Sequence, residues 1–394
     1  MNHEREIYLD HSASTPVDPR VVEAMLPYFS ETYGNASGLH RQARASARAL
    51  DQARRDVAEI LGCRPKEVVF TGCGSESDNL AIRGAAWVAR LGGKGSHLIT
   101  SPIEHHAVSH TIDQLCEQFG FEQAVVPVDK HGVVDPADVA RAIRPDTVLI
   151  SIIYANNEVG TIEPIREIGV IAREHGVPFH TDAVQAGGYL DLNVDQLNVD
   201  LLSLSGHKFY APKGVGLLYV RHGTRLLPQQ TGGGHEGDRR AGTENIPYIV
   251  GLAAALKLAQ VERESENARL AELRDRLVKG ILAGIPDAQL TGHPTQRLPG
   301  HASFVIPGVE ASGLLMHLDM AGVCAASGSA CTSGMPEPSH VLMGMGVEHT
   351  LALGALRLTL GRSNTQADVD YLVQTLPGIV EKLRATSPVY APPV

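Results

Sequence analysis

A lysine, an aspartate and a glycine-rich turn each follow an apolar segment of the chain, and together they could bind and use a cofactor. Lys208 follows the segment DLLSLS, residues 200–205, and Asp182 ends the segment PFHTD, residues 178–182. A partly buried lysine loses its proton more readily and can form a Schiff base with a carbonyl group. A buried carboxylate needs a cationic partner, which the protonated nitrogen of a pyridine ring would provide.

The third feature is the turn in FTGCGSESDNL, where a predicted strand ends at Thr71 and a helix is expected to begin at Ser75. Ser75 and Asp78 resemble a capping box, and free N–H groups at a helix N-terminus can bind phosphate. Taken singly, the turn is also typical of a plain strand-to-helix connection, Asp182 of a capping residue and Lys208 of a surface lysine. Their order and spacing together favour a site for pyridoxal 5′-phosphate (PLP), with its phosphate at the turn, its ring nitrogen at Asp182 and its aldehyde at Lys208.

These residues belong to a series of short apolar segments that predict a mostly parallel sheet. Seven such segments, rich in β-branched residues, alternate with amphipathic helical patterns. They lie at 67–71, 97–100, 123–128, 147–154, 178–182, 200–205 and 214–220. The alternation is typical of an α/β fold with a seven-stranded, mostly parallel sheet between helices. In such sheets ligands bind beyond the carboxyl ends of the strands, which is where Asp182 and Lys208 are expected to lie.

A long helical pattern over residues 250–283 marks the predicted domain boundary. The pattern runs from apolar to amphipathic, as expected of a helix that leaves one domain for another. At 394 residues the chain is also long for a single compact core. We therefore expect a large domain over residues 16–260 and a smaller α+β domain formed by residues 1–15 and 261–394. Strands of the smaller domain are predicted at 302–306 and 355–360.

Composition excludes several classes of protein. The formal net charge is −10 without an acidic tail, which argues against a nucleic-acid or anionic-membrane partner. No apolar run is long enough to span a bilayer, and the first residues lack the apolar stretch of a signal peptide, so a cytoplasmic location is expected. Five cysteines without CxxC spacing predict neither a disulfide framework nor a zinc site. The histidines show no ligand spacing, so no metal site is predicted.

Among the cysteines, Cys331 has the surroundings expected of a reactive thiol. It lies in ASGSACTSG, a stretch of small residues without apolar periodicity that predicts a loop. A loop thiol can be exposed and reach into a site, whereas Cys324 has apolar neighbours and is expected to pack. Cys63, Cys73 and Cys116 favour the same packing interpretation, although Cys73 lies in the predicted phosphate turn.

Several motifs spread over the whole chain carry a resemblance to a known family. They include YLDHSASTPVDPR, VVFTGCGSESDNLAI, YANNEVGTIEPI, FHTDAVQAGG, SLSGHKFYAPKGVGLLYVR, GGGHEGDRRAGTEN and ASGSACTSGMPEPSHVL. The chain resembles the NifS/IscS group of cysteine desulfurases, within the class V aminotransferase-like branch of the fold-type I PLP enzymes. This resemblance implies an enzyme that takes sulfur from L-cysteine, leaves L-alanine and holds the sulfur as a persulfide on Cys331. An acceptor protein of iron–sulfur cluster assembly or another sulfur relay would then receive the sulfur.

The resemblance also implies a role for each residue of the site. Lys208 would bind PLP covalently, Asp182 would pair with its ring nitrogen, and His105 would stack on the ring and assist proton transfer. Thr243 would reach the phosphate in the neighbouring subunit, which implies a homodimer with shared sites. The other assignments are Gly74, Ser75, Ser205 and His207 to the phosphate, Asn157 and Gln185 to the ring oxygen, and Arg357 and Asn35 to the substrate carboxylate.

Other functions make different demands on these residues. Selenocysteine lyase activity or transamination could use the same scaffold, but a transaminase would not need Cys331. A related protein that had lost catalysis and served as a scaffold would be expected to lack Lys208 or Cys331, and both are present. A nucleotide-dependent α/β enzyme would need a complete glycine fingerprint or a P-loop, and the sequence contains neither.

Overall fold

The computed structural model describes residues 6–328 and 337–386. In chain order the strands of this part are β1 (Ile7–Tyr8), β2 (Val68–Thr71), β3 (His97–Thr100), β4 (Glu122–Val125), β5 (Thr147–Ser151), β6 (Phe179–Asp182), β7 (Leu201–Ser205), β8 (Gly216–Val220), β9 (Gln289–Leu290), β10 (His301–Val305), β11 (Val323–Cys324) and β12 (Ala355–Thr359). The helices are α1 (Pro19–Met25), α2 (Pro27–Ser30), α3 (Arg41–Leu61), α4 (Gly74–Leu91), α5 (His106–Phe119), α6 (Pro136–Ala142), α7 (Ile165–Glu174), α8 (Val194–Leu197), α9 (Ile246–Gly284), α10 (Ala311–Met320), α11 (His340–Gly344), α12 (His349–Ala352) and α13 (Gln366–Thr386).

The central sheet has seven strands in the order β2-β8-β7-β6-β5-β3-β4. Strand β8 runs opposite to the other six strands of this sheet, antiparallel to both β2 and β7. The predicted mostly parallel α/β sheet is therefore confirmed. Two strands end earlier than the apolar segments suggested, β4 at Val125 and β5 at Ser151. After β5 the chain stays close to β6, because the Ile152 and Tyr154 N–H groups still donate to carbonyls of β6.

Helices cover both faces of this sheet, which explains why its strands are apolar without strict alternation. On β7, Leu202 and Leu204 pack into one core cluster with α3, α7 and α9. Leu201 faces the opposite way and packs with α4 and α5. Ser203 and Ser205 lie on the same face as Leu201, since side chains alternate along a strand. The polar residues of β7 therefore face α4.

A second, antiparallel sheet has the order β12-β10-β9 and packs with α10, α13 and the end of α9. Residues near the N-terminus join this core through Ile7 and Leu9, and β1 pairs in parallel with β11. Helix α9 is 39 residues long, and it contributes to the core of the large sheet at one end and to this core at the other. The domain division near residue 260 stays a prediction.

The carboxyl ends of the parallel strands meet at one edge of the large sheet. Strand β6 ends at Asp182 and β7 at Ser205, and a single 3-10 turn, Gly206–Lys208, follows β7 directly. This edge therefore carries most of the residues singled out from the sequence. None of the helices in the described ranges combines the length and the apolarity that crossing a membrane would require.

Candidate active site

A cavity of about 300 Å³ lies at this edge of the large sheet. It brings together residues from distant parts of the sequence, from Ser12 near the start of the chain to Arg357 near its end. The predicted site residues that line it are Gly74, Ser75, His105, Asn157, Asp182, Gln185, Ser205, His207, Lys208 and Arg357. The expected convergence of the strand ends is thus present in the structure.

Lys208 is held in the cavity by main-chain oxygens. Its Nζ donates to the carbonyls of Ser12 at 2.5 Å and Ala13 at 2.9 Å. Burial lowers the pKa of this amine to about 8, and the nearby positive charge of Arg357 acts in the same direction. A larger fraction of Lys208 is therefore neutral near neutral pH than is usual for lysine, and a neutral amine can act as a nucleophile or a base.

Asp182 lies at the end of β6 and is 3 % exposed. One carboxylate oxygen, Oδ1, accepts a hydrogen bond of 2.9 Å from the Val184 N–H. Burial raises the pKa of Asp182 to about 6, while the Val184 N–H and Lys208 partly offset this effect. A cation bound in the cavity would favour the ionised carboxylate and so would be held by it.

A second buried carboxyl, Asp78 on α4, also lines the cavity and was not assigned this place from the sequence. Asp78 is 1 % exposed, and its Oδ1, which lies 3.6 Å from His180 Nε2, has no hydrogen-bond partner among the described residues. Burial raises its pKa well above the usual value, and the charge of Asp182 adds to this. One carboxylate oxygen each of Asp78 and Asp182 and one ring nitrogen of His105 lie within 4.8 Å of one another.

The predicted capping box of Ser75 and Asp78 is wrong. Helix α4 begins at Gly74, and its N-cap is Cys73, whose Sγ accepts from the Glu76 N–H at 3.4 Å. The Glu76 carboxylate reaches back to the Gly72 N–H at 2.7 Å. With Cys73 as the N-cap, Asp78 is the fifth residue of α4 rather than part of its cap, and it lines the cavity.

His105 is the N-cap of α5 and accepts a hydrogen bond of 3.1 Å from the Ala107 N–H through Nδ1. Desolvation lowers the pKa of its ring to about 4, and the positive charge of Lys208 adds to this effect. The neutral ring therefore carries its proton on Nε2, because Nδ1 acts as an acceptor. Its neighbour His106 does not line this cavity and stacks instead on His110.

Beside the N-terminus of α4, the cavity is lined by small and neutral groups. A Cβ at Gly74 would lie 2.7 Å from Val184 and 3.1 Å from Ser205, so glycine is needed for the start of α4 to approach these residues this closely. His207 contacts the Ser14 hydroxyl through Nδ1 at 3.2 Å, and burial lowers its pKa to about 4. N–H groups at the start of α4 and these neutral donors form an environment suited to an anion.

Arg357 enters the cavity from β12 of the smaller sheet. Its Nη2 donates to Asp10 Oδ1 at 2.8 Å and its Nη1 to the Asn157 carbonyl at 3.2 Å. The buried Nε of Arg357 has no partner among the described residues. Gln185, which lines the cavity nearby, donates to the Ser12 carbonyl at 2.8 Å. Asp10 therefore orients the guanidinium, a role that the sequence did not reveal.

Three predicted residues are not among those that line the cavity. Asn35 is exposed, and its Oδ1 accepts from the Ser37 N–H at 2.9 Å. Thr243 lies in a separate cleft, beside Gly72 and Arg240. Cys331 lies outside the described residues. The roles assigned to these three residues stay predictions.

The other four cysteines are free thiols. Burial raises the pKa of Cys63 to about 12 and also raises the pKa values of Cys116 and Cys324. These three are protonated at neutral pH and are weak nucleophiles, in line with a packing role. Cys73 differs, since it is exposed and lines the cavity beside Gly74.

Comparisons with known proteins identify the family of this chain. The family model described as aminotransferase class-V matches residues 7–372. A protein from Methanosarcina thermophila named cysteine desulfurase IscS is 51% identical over 384 residues, which cover 98% of this chain and 94% of that protein.

Solved structures give the same result. A structure titled NifS-like protein superposes with a TM-score of 0.89 at 35% identity and covers 96% of this chain and 100% of its own. SspA, solved in complex with cysteine, has a TM-score of 0.79 at 39% identity, with 90% of this chain and 98% of its own covered. The match to the family model and the relatives over nearly the full chain confirm the resemblance. The chain belongs to the aminotransferase class-V family, in its NifS/IscS group of cysteine desulfurases.

Proposed function

We propose that this protein is a PLP-dependent cysteine desulfurase, which removes sulfur from L-cysteine, releases L-alanine and holds the sulfur on Cys331. The observation that carries the proposal is the shared cavity of Lys208, Asp182 and Arg357. An amine with a lowered pKa, a buried carboxylate and a guanidinium are the groups needed to attach a cofactor, pair with its ring nitrogen and bind the carboxylate of an amino acid. The solved complex of the related SspA with cysteine supports the choice of substrate.

The residues of the cavity fit PLP. The N-terminus of α4 at Gly74 suits the phosphate, with Ser75, Ser205 and His207 also lining the cavity. Asp182 would hold the protonated ring nitrogen, Asn157 and Gln185 the ring oxygen, and His105 the face of the ring. When bound, PLP withdraws electrons from the α-carbon of the amino acid.

The protein's own groups supply the proton transfers and the orientation. Lys208 is the base that removes the α-proton, because burial lowers its pKa to about 8 and so raises the fraction of neutral amine near neutral pH. The neutral His105 ring, with its proton on Nε2, assists as a donor. Arg357, held by Asp10, orients the substrate through its carboxylate.

The sulfur leaves the substrate by attack of the Cys331 thiolate. A bond forms between the Cys331 sulfur and the substrate sulfur, and the carbon–sulfur bond of the substrate breaks. The electron pair of the broken bond remains with the substrate carbon, which takes up a proton and leaves as alanine. Cys331 is left as a persulfide, whose outer sulfur passes to a thiol of an acceptor protein.

The cellular setting is part of the proposal. The name IscS of the relative from Methanosarcina thermophila supports an acceptor in iron–sulfur cluster or other sulfur-cofactor assembly. We propose a homodimer in the cytoplasm. In it, Thr243 would complete the phosphate site of the other subunit, since in its own subunit it lies in a different cleft from Lys208.

Replacing Cys331 with alanine tests the nucleophile. We expect alanine and sulfide formation from cysteine, in the presence of a reductant, to fall together by at least about 10²-fold. Spectral changes of the bound cofactor on adding cysteine should persist, since substrate binding does not need the thiol. The matched control is Cys116→Ala, which removes a thiol whose raised pKa makes it a weak nucleophile and which should keep full activity.

Full alanine production by the Cys331→Ala enzyme would contradict the proposal, because the carbon–sulfur bond would then break without this thiol. A transaminase would instead convert cysteine into its α-keto acid. Alanine formation should also be measured with cysteine and with selenocysteine as separate substrates. A marked preference for selenocysteine over cysteine in that assay would favour a selenocysteine lyase.

Replacing Arg357 with alanine tests the carboxylate site. Loss of a hydrogen bond to a charged group should raise KM for cysteine about 10- to 100-fold. Arg357→Lys should recover only part of this, because a single ammonium cannot replace the planar fork that Asp10 and Asn157 orient. Steady-state kinetics measure the effect, and cofactor content should be unchanged. An unaltered KM in both variants would remove Arg357 from the substrate site.

A further inference from the structure

Glu158 is a buried acid that the proposed chemistry does not use. It follows Asn157, which lines the cavity, and it is 6 % exposed. Its N–H donates to the Asn156 side chain at 2.8 Å, which fixes the backbone at this point. Burying a carboxyl group costs free energy unless specific partners form hydrogen bonds with it. The partners of Glu158 therefore indicate its role.

One partner lies just after residues 329–336. The Ser339 hydroxyl donates a short hydrogen bond to Glu158 Oε2. Ser339 is 2 % exposed and is the N-cap of α11, where the same hydroxyl accepts from the Leu342 N–H at 3.2 Å. The Ser339 hydroxyl thus links the start of α11 to Glu158.

The other partner lies just before residues 329–336. Gly328 has a φ of 90° and packs directly on Glu158, since a Cβ at this position would lie 2.6 Å from Oε2 and 3.1 Å from Cδ. Any larger residue would have to displace the carboxyl. The same oxygen of Glu158 is therefore the contact point for the chain on both sides of residues 329–336, the stretch that contains Cys331.

The flanking residues are fixed to the walls of the cavity as well. Ala326 and Arg357 exchange backbone hydrogen bonds of 3.2 Å and 2.6 Å. On the other side, His340 Nε2 contacts the Glu104 carbonyl at 2.9 Å, next to His105. The chain that enters and leaves residues 329–336 is thus attached beside three residues of the site, Arg357, Asn157 and His105.

We propose that Glu158 is a positioning residue, which fixes both ends of the segment that carries Cys331 and so places this thiol for attack on the substrate sulfur. The proposal rests on the proposed function in naming Cys331 as the nucleophile. The interaction needs an oxygen acceptor at Oε2 rather than a charge. Glu158→Gln should therefore preserve this interaction, whereas Glu158→Ala should abolish it.

The test compares Glu158→Ala and Glu158→Gln in the holoenzyme. In the alanine variant, persulfide and alanine formation at saturating cysteine should slow about 10- to 100-fold, because a small misplacement of a reacting group is costly. KM and the absorbance of the bound cofactor should stay near wild type. Cys331 should also be alkylated by iodoacetamide at least about threefold faster than in the wild type. The alkylation is carried out without cysteine and is followed by mass spectrometry. The glutamine variant should match the wild type in all four measurements.

Two further variants complete the design. Ser339→Ala removes the same hydrogen bond by deleting its donor, so it should also make alkylation of Cys331 faster. This variant tests the proposal even if Glu158→Ala does not fold. Glu163→Gln is the matched control: Glu163 is 3 % exposed, its Oε2 accepts from the Val134 N–H, and its replacement should leave alkylation unchanged.

Wild-type alkylation and turnover in both Glu158→Ala and Ser339→Ala would overturn the positioning role. A failure of the proposed function would look different. In that case Cys331→Ala would keep full activity, while the effect of Glu158 on Cys331 alkylation, which requires no substrate, would persist.

Discussion

Replacing Lys208 with alanine is expected to lower the formation of alanine from cysteine by at least about 10³-fold, the largest effect of any single change in the cavity. In the proposed mechanism the amine is both the attachment point of the cofactor and the base, and its carbonyl partners, Ser12 and Ala13, cannot replace it. Product analysis by amino-acid chromatography measures the loss. Absorbance should show that PLP is bound by this variant without a covalent bond.

Lys208→Arg is the informative companion. Arginine keeps the positive charge but stays protonated at any accessible pH, so it should be as inactive as alanine if a neutral amine is required. Partial activity in Lys208→Arg would show that charge alone is sufficient. In the wild type, attachment of PLP to the free protein should speed up with pH, reach half of its maximum near pH 8 and level off above that, since burial lowers the Lys208 pKa to about 8.

Replacing Asp182 with asparagine is expected to reduce turnover by about 10²- to 10³-fold, the range found when one preorganised electrostatic contact is removed. Asparagine preserves the shape of the side chain and can still accept from the Val184 N–H, but it carries no charge to keep a proton on the ring nitrogen. Rates of alanine formation at saturating cysteine measure the effect.

The charge of Asp182 also predicts a pH dependence of cofactor affinity. Burial raises its pKa to about 6 in the free protein, so the carboxylate is protonated as the pH falls through 6 and then no longer attracts a cation. In a Lys208→Ala background, which removes titration of the amine and the charge that lowers the Asp182 pKa, PLP affinity should fall at least about tenfold from pH 8 to pH 5 beyond the fall seen with Lys208→Ala/Asp182→Asn. Equal pH profiles for the two proteins would show that Asp182 does not face the ring nitrogen. Fluorescence titration gives both dissociation constants.

Much of the fold and several site residues could be predicted from local sequence. Lys208 and Asp182 follow apolar strands directly, and the rule that ligands bind at the carboxyl ends of parallel strands is enough to place them together. His105, Asn157 and Arg357 required the family resemblance, because nothing in their own surroundings indicates that distant segments converge on one cavity.

The remaining features depend on tertiary packing, which local patterns do not encode. Asp78 has the sequence position of a capping residue, but with Cys73 as the N-cap it is the fifth residue of α4 and lines the cavity. Asp10 and Glu158 act on partners that lie 347 and 181 residues away, Arg357 and Ser339. The antiparallel direction of β8 likewise cannot be read from its apolar residues, since strands buried on both faces look alike in either direction.

The part of the cavity wall that holds Lys208, formed by the carbonyls of Ser12 and Ala13, has a consequence for how the protein is made. Ser12 and Ala13 are synthesised early, but the segment that contains them is held in place by pairing of Ile7 with Val323 and by hydrogen bonds to Thr359. Contacts this distant in sequence form slowly and only after the late partner has left the ribosome. A nascent chain therefore exposes Lys208 without this wall, and the cofactor can be enclosed only once the chain has emerged beyond Thr359.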